Sequence, residues 1–145
     1  MNRDGFLVVT AGGSRYGLGL SEVREVVDVA PARAVPSRSP ALRGIMPLRE
    51  HFVSLVHLAS LVSGGTPPDA PSETAVIVNV NGAPMALEVD DVEQVIDRNA
   101  DFVGAAPSAW ASGIWRVGRE LVTVLDLGVL AGRIMETGSG NDAAG

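Results

Sequence analysis

Shifted by 69 positions, this 145-residue chain falls on itself without a gap. Phe6–Val9 (FLVV) lands on Ala75–Val78 (AVIV), and Gly13 lands on Gly82. Tyr16–Asp28 (YGLGLSEVREVVD) lands on Met85–Asp97 (MALEVDDVEQVID). Gly44-Ile45 meets Gly113-Ile114, Phe52–Leu58 (FVSLVHL) meets Leu121–Leu127 (LVTVLDL), and Leu61 meets Leu130. Identities are few, but apolar positions meet apolar positions in every block. One offset that serves several blocks points to two similar substructures packed together. The first spans residues 6–62 and the second residues 75–131. Ser63–Thr74 (SGGTPPDAPSET) links them, and its glycines and prolines block regular structure.

Each copy opens with two short apolar runs around a tight turn. Gly12-Gly13 serves the first copy and Asn81-Gly82 the second. These dipeptides supply the positive φ that two-residue hairpin turns need. The return runs alternate, with Tyr16, Leu18 and Leu20 on one face, and Met85, Leu87 and Val89 in the same places. Period two means a sheet with one face buried. Val23, Val26 and Val27, with Val92, Val95 and Ile96, combine helical spacing with β-branched content. A short helical turn running into a strand satisfies both. Each copy closes with a strand, at Phe52–Leu58 and at Leu121–Leu127. Many short strands, frequent turn signals and no long helix predict a mainly β fold. The natural architecture is two similar five-stranded barrels around a shared core, because closure removes exposed edges.

Composition removes several classes of function. With no cysteine there is no disulfide, thiolate metal site or thiol nucleophile. A net charge of −6 with 11 dispersed basic residues argues against a nucleic-acid partner. No apolar run approaches the roughly 18 residues of a membrane span, and the N-terminus does not read as a signal peptide. The expectation is a soluble cytoplasmic protein without membrane insertion. Residues 1–137 form one domain, and Gly138–Gly145 (GSGNDAAG) is expected to be disordered.

The chemistry-bearing residues read mostly as surface. The early glycines precede an alternating strand rather than a helix, so they form a hairpin and not a phosphate loop. His51 and His57 share a strand face but lie about 20 Å apart at ~3.3 Å per residue, too far for one metal. Glu120 and Asp126 take their places in copy two, as variable exposed sites would. The acids Glu22, Glu25 and Asp28, and Asp90, Asp91, Glu93 and Asp97, interleave with valines and read as a solvated face. No serine sits in a nucleophile elbow. Trp115 matches Met46 and reads as packing, while Trp110 lies in a connector, partly exposed. No enzyme, cofactor or metal site is expected. Arg49 stands out. Copy two has Gly118 there, so folding does not require an arginine, and its own strand face offers no nearby acid.

Phe6–Asp28, the stretch LRGIMPLREHFVSLVHL from Leu42, and LVTVLDL from Leu121 resemble the chemotaxis coupling proteins of the CheW type across roughly Phe6–Leu130. That resemblance implies two five-stranded barrels about a shared core. It also implies a non-enzymatic adaptor that joins chemoreceptor cytoplasmic tips to the regulatory domain of a histidine kinase, within membrane-associated receptor arrays. The family's Leu-Arg-Gly arginine lies in a receptor-binding groove. By that resemblance the arginine falls on Arg49, with Gly44 as the glycine at a close backbone contact. Leu48 and Val27 would supply buried apolar contact, and Glu50 a neighbouring charge. Pro47, Glu50, Ser54 and His57 stand where the family has Asn, Gly, Pro and Asp. These differences leave a second expectation, an interaction module for a non-chemotaxis partner in a polar-localisation or pilus-motility complex.

Overall fold

A computed structural model describes residues 5–97, 99, 101–106 and 108–134. The tail expected to be disordered and the end of the expected domain at residue 137 lie outside the described residues.

Copy one supplies β1 (Phe6–Ala11), β2 (Ser14–Gly19), β3 (Val23–Asp28), β4 (Leu42–Leu48), β5 (His51–His57) and the helix α1 (Leu58–Ser63). Copy two supplies β6 (Thr74–Val80), β7 (Ala83–Val89), β8 (Asp91–Ile96), β9 (Asp101–Gly104), β10 (Ala111–Val117) and β11 (Glu120–Leu125), and a second helical segment, α2, covers 127–134. The residues whose spacing suggested a helical turn, Val23, Val26 and Val27 with Val92, Val95 and Ile96, all lie in strands, β3 and β8, and only a tight turn precedes β3. Glu22 N–H donates to Gly19 O and Val23 N–H to Leu20 O, and β3 follows. The closing strands stop earlier than expected. β5 ends at His57 and β11 at Leu125, and a helix begins almost at once in both copies.

Two sheets form, with orders β8-β1-β2-β11-β10-β9 and β3-β6-β7-β5-β4. Replacing each strand by its repeat partner turns the first order into the second, with β9 as the one addition. Sequence copies and sheets do not coincide. Each sheet takes its β-hairpin from one copy and its later strands from the other, so the hairpins are exchanged. The junctions are the parallel pairs β11–β2 and β5–β7. Such an exchange interlocks the copies and leaves neither with a sheet of its own. The expected five strands per subdomain become six and five because β9 pairs with β10. The matching place in copy one makes only an isolated bridge, Arg33 to Ile45.

Strands at the centre are buried on both faces, and their alternation sorts side chains into three clusters. Leu7, Val9 and Ala11 of β1 join Val76, Val78, Val80, Met85, Leu87, Leu127 and Leu130 between the sheets. Val8 points the other way, to Ile96, Trp115, Val122 and Val124 inside the curl of the six-stranded sheet. Ala75 and Ile77 of β6 do the same in the five-stranded sheet, with Met46, Val53, Leu55 and Ala86. Trp115 has the packing role expected of it, with ring centroids 4.8 Å from Phe6 and 4.9 Å from Phe102. Trp110 is half-buried against the central cluster. Gly17 is needed on this inner face, because a Cβ there would sit 2.9 Å from Val124 Cγ2.

Candidate interaction site

The five-stranded sheet curls until its two edges communicate. Arg33 and Ile45 exchange backbone hydrogen bonds of 2.8 and 2.9 Å, which lays the segment after β3 along β4. At the other end of β4, Arg49 reaches across to β3. Its two terminal nitrogens donate to the two oxygens of Glu25 at 2.7 and 2.6 Å. The expectation concerned acids on Arg49's own strand face, and Glu25 is not one of them. The acid comes from the opposite edge strand, which spacing along β5 cannot reveal. The pair is exposed. Arg49 holds the Glu25 carboxyl below the usual carboxylate range, chiefly by hydrogen bonding and then by charge.

The backbone at Arg49 is as informative as its side chain. Leu48 pairs with His51, leaving Arg49 and Glu50 as a two-residue loop. Arg49 has φ 55°, and its counterpart Gly118 has φ 62°. The first loop position therefore demands the left-handed region in both copies. Copy two meets the demand with glycine, the favoured residue, and copy one with arginine, which costs backbone strain.

Leu48 and Val27 are half-buried and pack on the same inner cluster, so the structure brings Arg49, Leu48 and Val27 to one rim, with Glu25 beside them. Glu50 is exposed in the loop. Phe52 (65% exposed) pairs with Pro47 across β4 and β5, and Val26 (47%) points outward from β3. Their repeat partners Leu121 and Val95 are exposed as well, at 55% and 58%. Large apolar side chains left in water at repeated positions suit protein contact. Gly44 is not at this rim. It lies roughly 16 Å away along β4, at ~3.3 Å per residue. Its expected close contact is there: at φ 146° a Cβ would meet the Arg33 carbonyl oxygen at 2.1 Å.

The tripeptide Leu-Arg-Gly itself occurs at Leu42-Arg43-Gly44, at the start of β4. Arg43 is a different kind of residue. Its Nε and one terminal nitrogen donate to the two oxygens of Glu88, which is 1% exposed, and its other terminal nitrogen donates to Pro68 O at 2.7 Å. Ser72 N–H also donates to Glu88, at 2.9 Å. The linker is thus held at two points by one buried ion pair. Sequence reading missed both residues. Glu88 stands in a run of apolar partners, where a lone acid is the available signal. Its repeat partner is Gly19, and that of Arg43 is Ser112, so this pair belongs to one copy alone.

His57 was expected at the surface and is instead half-buried beside this pair. It is the N-cap of α1, its Nδ1 accepting from Ser60 N–H at 3.2 Å. Its repeat partner Asp126 caps α2 in the same way, with Oδ1 accepting from Val129 N–H at 3.1 Å. These two positions are matched in role, not free to vary. His51 is exposed and apart from it. The acids of the valine-rich strands are mostly exposed, with Glu22 and Glu25 half-buried. Glu25 carries Arg49, and Glu93 joins Glu120 in holding Arg15. Among the described residues no cluster of three or more metal-ligating side chains occurs, and no helix is long and apolar enough to cross a membrane.

Comparison with known proteins agrees with this architecture. The family model described as CheW-like domain matches residues 5–135. The chemotaxis protein CheW of Treponema pallidum (strain Nichols) is 26% identical over 144 residues, covering 88% of this chain and 82% of that protein. The crystal structure of the scaffolding protein TtCheW from Thermoanaerobacter tengcongensis superposes with a TM-score of 0.76 at 24% identity, covering 89% of this chain and 92% of the other.

Proposed function

Starting from the premise that the chain belongs to the CheW-like domain family, a family of non-enzymatic adaptors, we propose that it couples chemoreceptor cytoplasmic tips to the regulatory domain of a chemotaxis histidine kinase. The observation that carries this reading is the family match along residues 5–135, together with a fold shared at a TM-score of 0.76 with a scaffolding protein. An adaptor of this kind acts by holding two partners at once, which raises the effective concentration of one at the other. It works in the cytoplasm, at membrane-associated receptor arrays.

The partner-facing surface is the rim built by Arg49, Leu48, Val27 and Glu50. Gly44 supports it from the far end of β4 by admitting the segment after β3. What supports the rim is its chemistry. An exposed bidentate ion pair on a strained loop sits among half-buried and exposed apolar side chains. Titration of the full chain with the cognate kinase regulatory domain tests the coupling role. Saturable binding is expected, and no binding at high micromolar concentration overturns it.

A second reading keeps the adaptor and changes the partner to one outside chemotaxis, as in a polar-localisation or pilus-motility complex. It is motivated by Pro47, Glu50 and His57, which stand where the resemblance has Asn, Gly and Asp. Binding to the kinase domain, with or without binding to a receptor-tip fragment, supports the first reading. Failure of both leaves the second.

A further inference from the structure

The repeat makes the cap of α1 a natural comparison. Two helices start at equivalent points, one capped by Asp126 and the other by His57. Aspartate is a preferred N-cap, and its carboxylate does not change charge between pH 5 and 8. Histidine does change in that range. To accept from Ser60 N–H, Nδ1 must carry no proton, so the cap holds in the neutral ring with hydrogen on Nε2. An imidazolium has no acceptor. Its Nδ1–H would turn to Ser60 Oγ, already 2.7 Å away, and Ser60 N–H would lose its partner.

The charged groups that face the ring come from three directions. Glu88 on β7 places Oε2 3.9 Å from Nε2, Arg43 on β4 holds that same carboxylate, and Asp90 follows β7. Burial, and then Arg43, favour the neutral ring, while Glu88 and Asp90 favour the charged one. Burial is the largest influence, and the ring is held below the usual histidine range. An imidazolium would also compete with Arg43 for Glu88. The segment after α1 hangs on that pair through Pro68 O and Ser72 N–H.

We propose that His57 is a pH-sensitive joint: its protonation uncaps α1 and loosens residues 58–73, while α2, capped by Asp126, stays closed. The sign follows from the direction of the shift. A histidine favoured in its neutral form stabilises the fold above its unfolded value near 6.5, and that contribution is lost as pH falls through the lower folded value. The joint stands on the cap geometry and does not depend on which partner the rim binds.

The test uses the full chain, by amide hydrogen exchange at pH 7.5 and pH 5, corrected for the intrinsic rate. Protection in residues 58–63 is expected to fall at least tenfold at pH 5, with α2 unchanged. In His57→Asn, which keeps an acceptor but cannot be protonated, the fall should vanish. The same fall in His57→Asn, or equal loss in α1 and α2, overturns the proposal. Should that variant not fold, ring ¹⁵N shifts of the unaltered chain decide. Unprotonated Nδ1 at pH 7.5, titrating below the usual histidine range, supports the joint. A proton on Nδ1 at pH 7.5, or titration at or above that range, rules it out.

Discussion

Arg43 and Glu88, 45 residues apart, form a two-point ion pair in which the carboxylate is closed off from water and the guanidinium keeps a thin outer edge. The pair closes one end of the inner cluster of the five-stranded sheet, since Glu88 follows Ala86 on the inward face of β7. It also fastens the linker that joins the two sequence copies. A buried pair of this kind contributes less than its attraction suggests, because both charges leave water. Removing one partner is another matter.

Arg43→Ala strands the Glu88 carboxylate and should destabilise the fold by about 3–5 kcal/mol. Replacing both members with apolar residues, as in Arg43→Met with Glu88→Leu, should recover most of that loss. Denaturant unfolding of the single and double variants measures the difference. A double variant no more stable than Arg43→Ala alone would show that the linker contacts, not the stranded charge, dominate.

Arg49→Gly separates folding from binding. It relieves the left-handed strain at the loop, as Gly118 does in copy two, and gives up an exposed ion pair of little worth. The unfolding midpoint should hold or rise, and affinity for a receptor-tip fragment should fall at least tenfold. Unchanged affinity would remove Arg49 from the binding rim.

Gly44→Ala should be far more damaging than Gly82→Ala. Both positions have positive φ, but a Cβ at Gly82 meets nothing within 4 Å, whereas at Gly44 it lands on the Arg33 carbonyl. The turn variant should cost roughly 1–2 kcal/mol from backbone strain. The strand variant must also push the segment after β3 away from β4. Parallel thermal unfolding ranks them.

Glu22 gives a pH prediction of opposite sense to that of His57. Burial, and then the charge of Asp126, raise its carboxyl above the usual range. A raised acid favours folding only while protonated, and that contribution is lost as pH rises through the folded value. Glu22→Gln should therefore be more stable than the unaltered chain at pH 7, and the gap should close in acid. Urea midpoints at pH 7 and pH 3.5 test this. A gap that widens in acid contradicts it.

Local pattern was enough for the first hairpin of each copy, the closing strands and the inward faces, because period two and Gly-Gly or Asn-Gly turns act over a few residues. It did not show β4, β9 or β10. The 69-residue offset likewise carried the equivalence of the two halves, down to strand order. The partners across the fold were set by tertiary structure alone. The exchange of hairpins is fixed by pairings between the copies, β11 with β2 and β5 with β7, which local pattern does not record. Arg49 meets Glu25 only because the sheet curls edge toward edge, and Arg43 meets Glu88 only because β7 and β4 flank β5. Burial turns His57 from a surface side chain into a helix cap. Spacing along one strand reports which face a charge occupies, but the partner that face meets is supplied by folding.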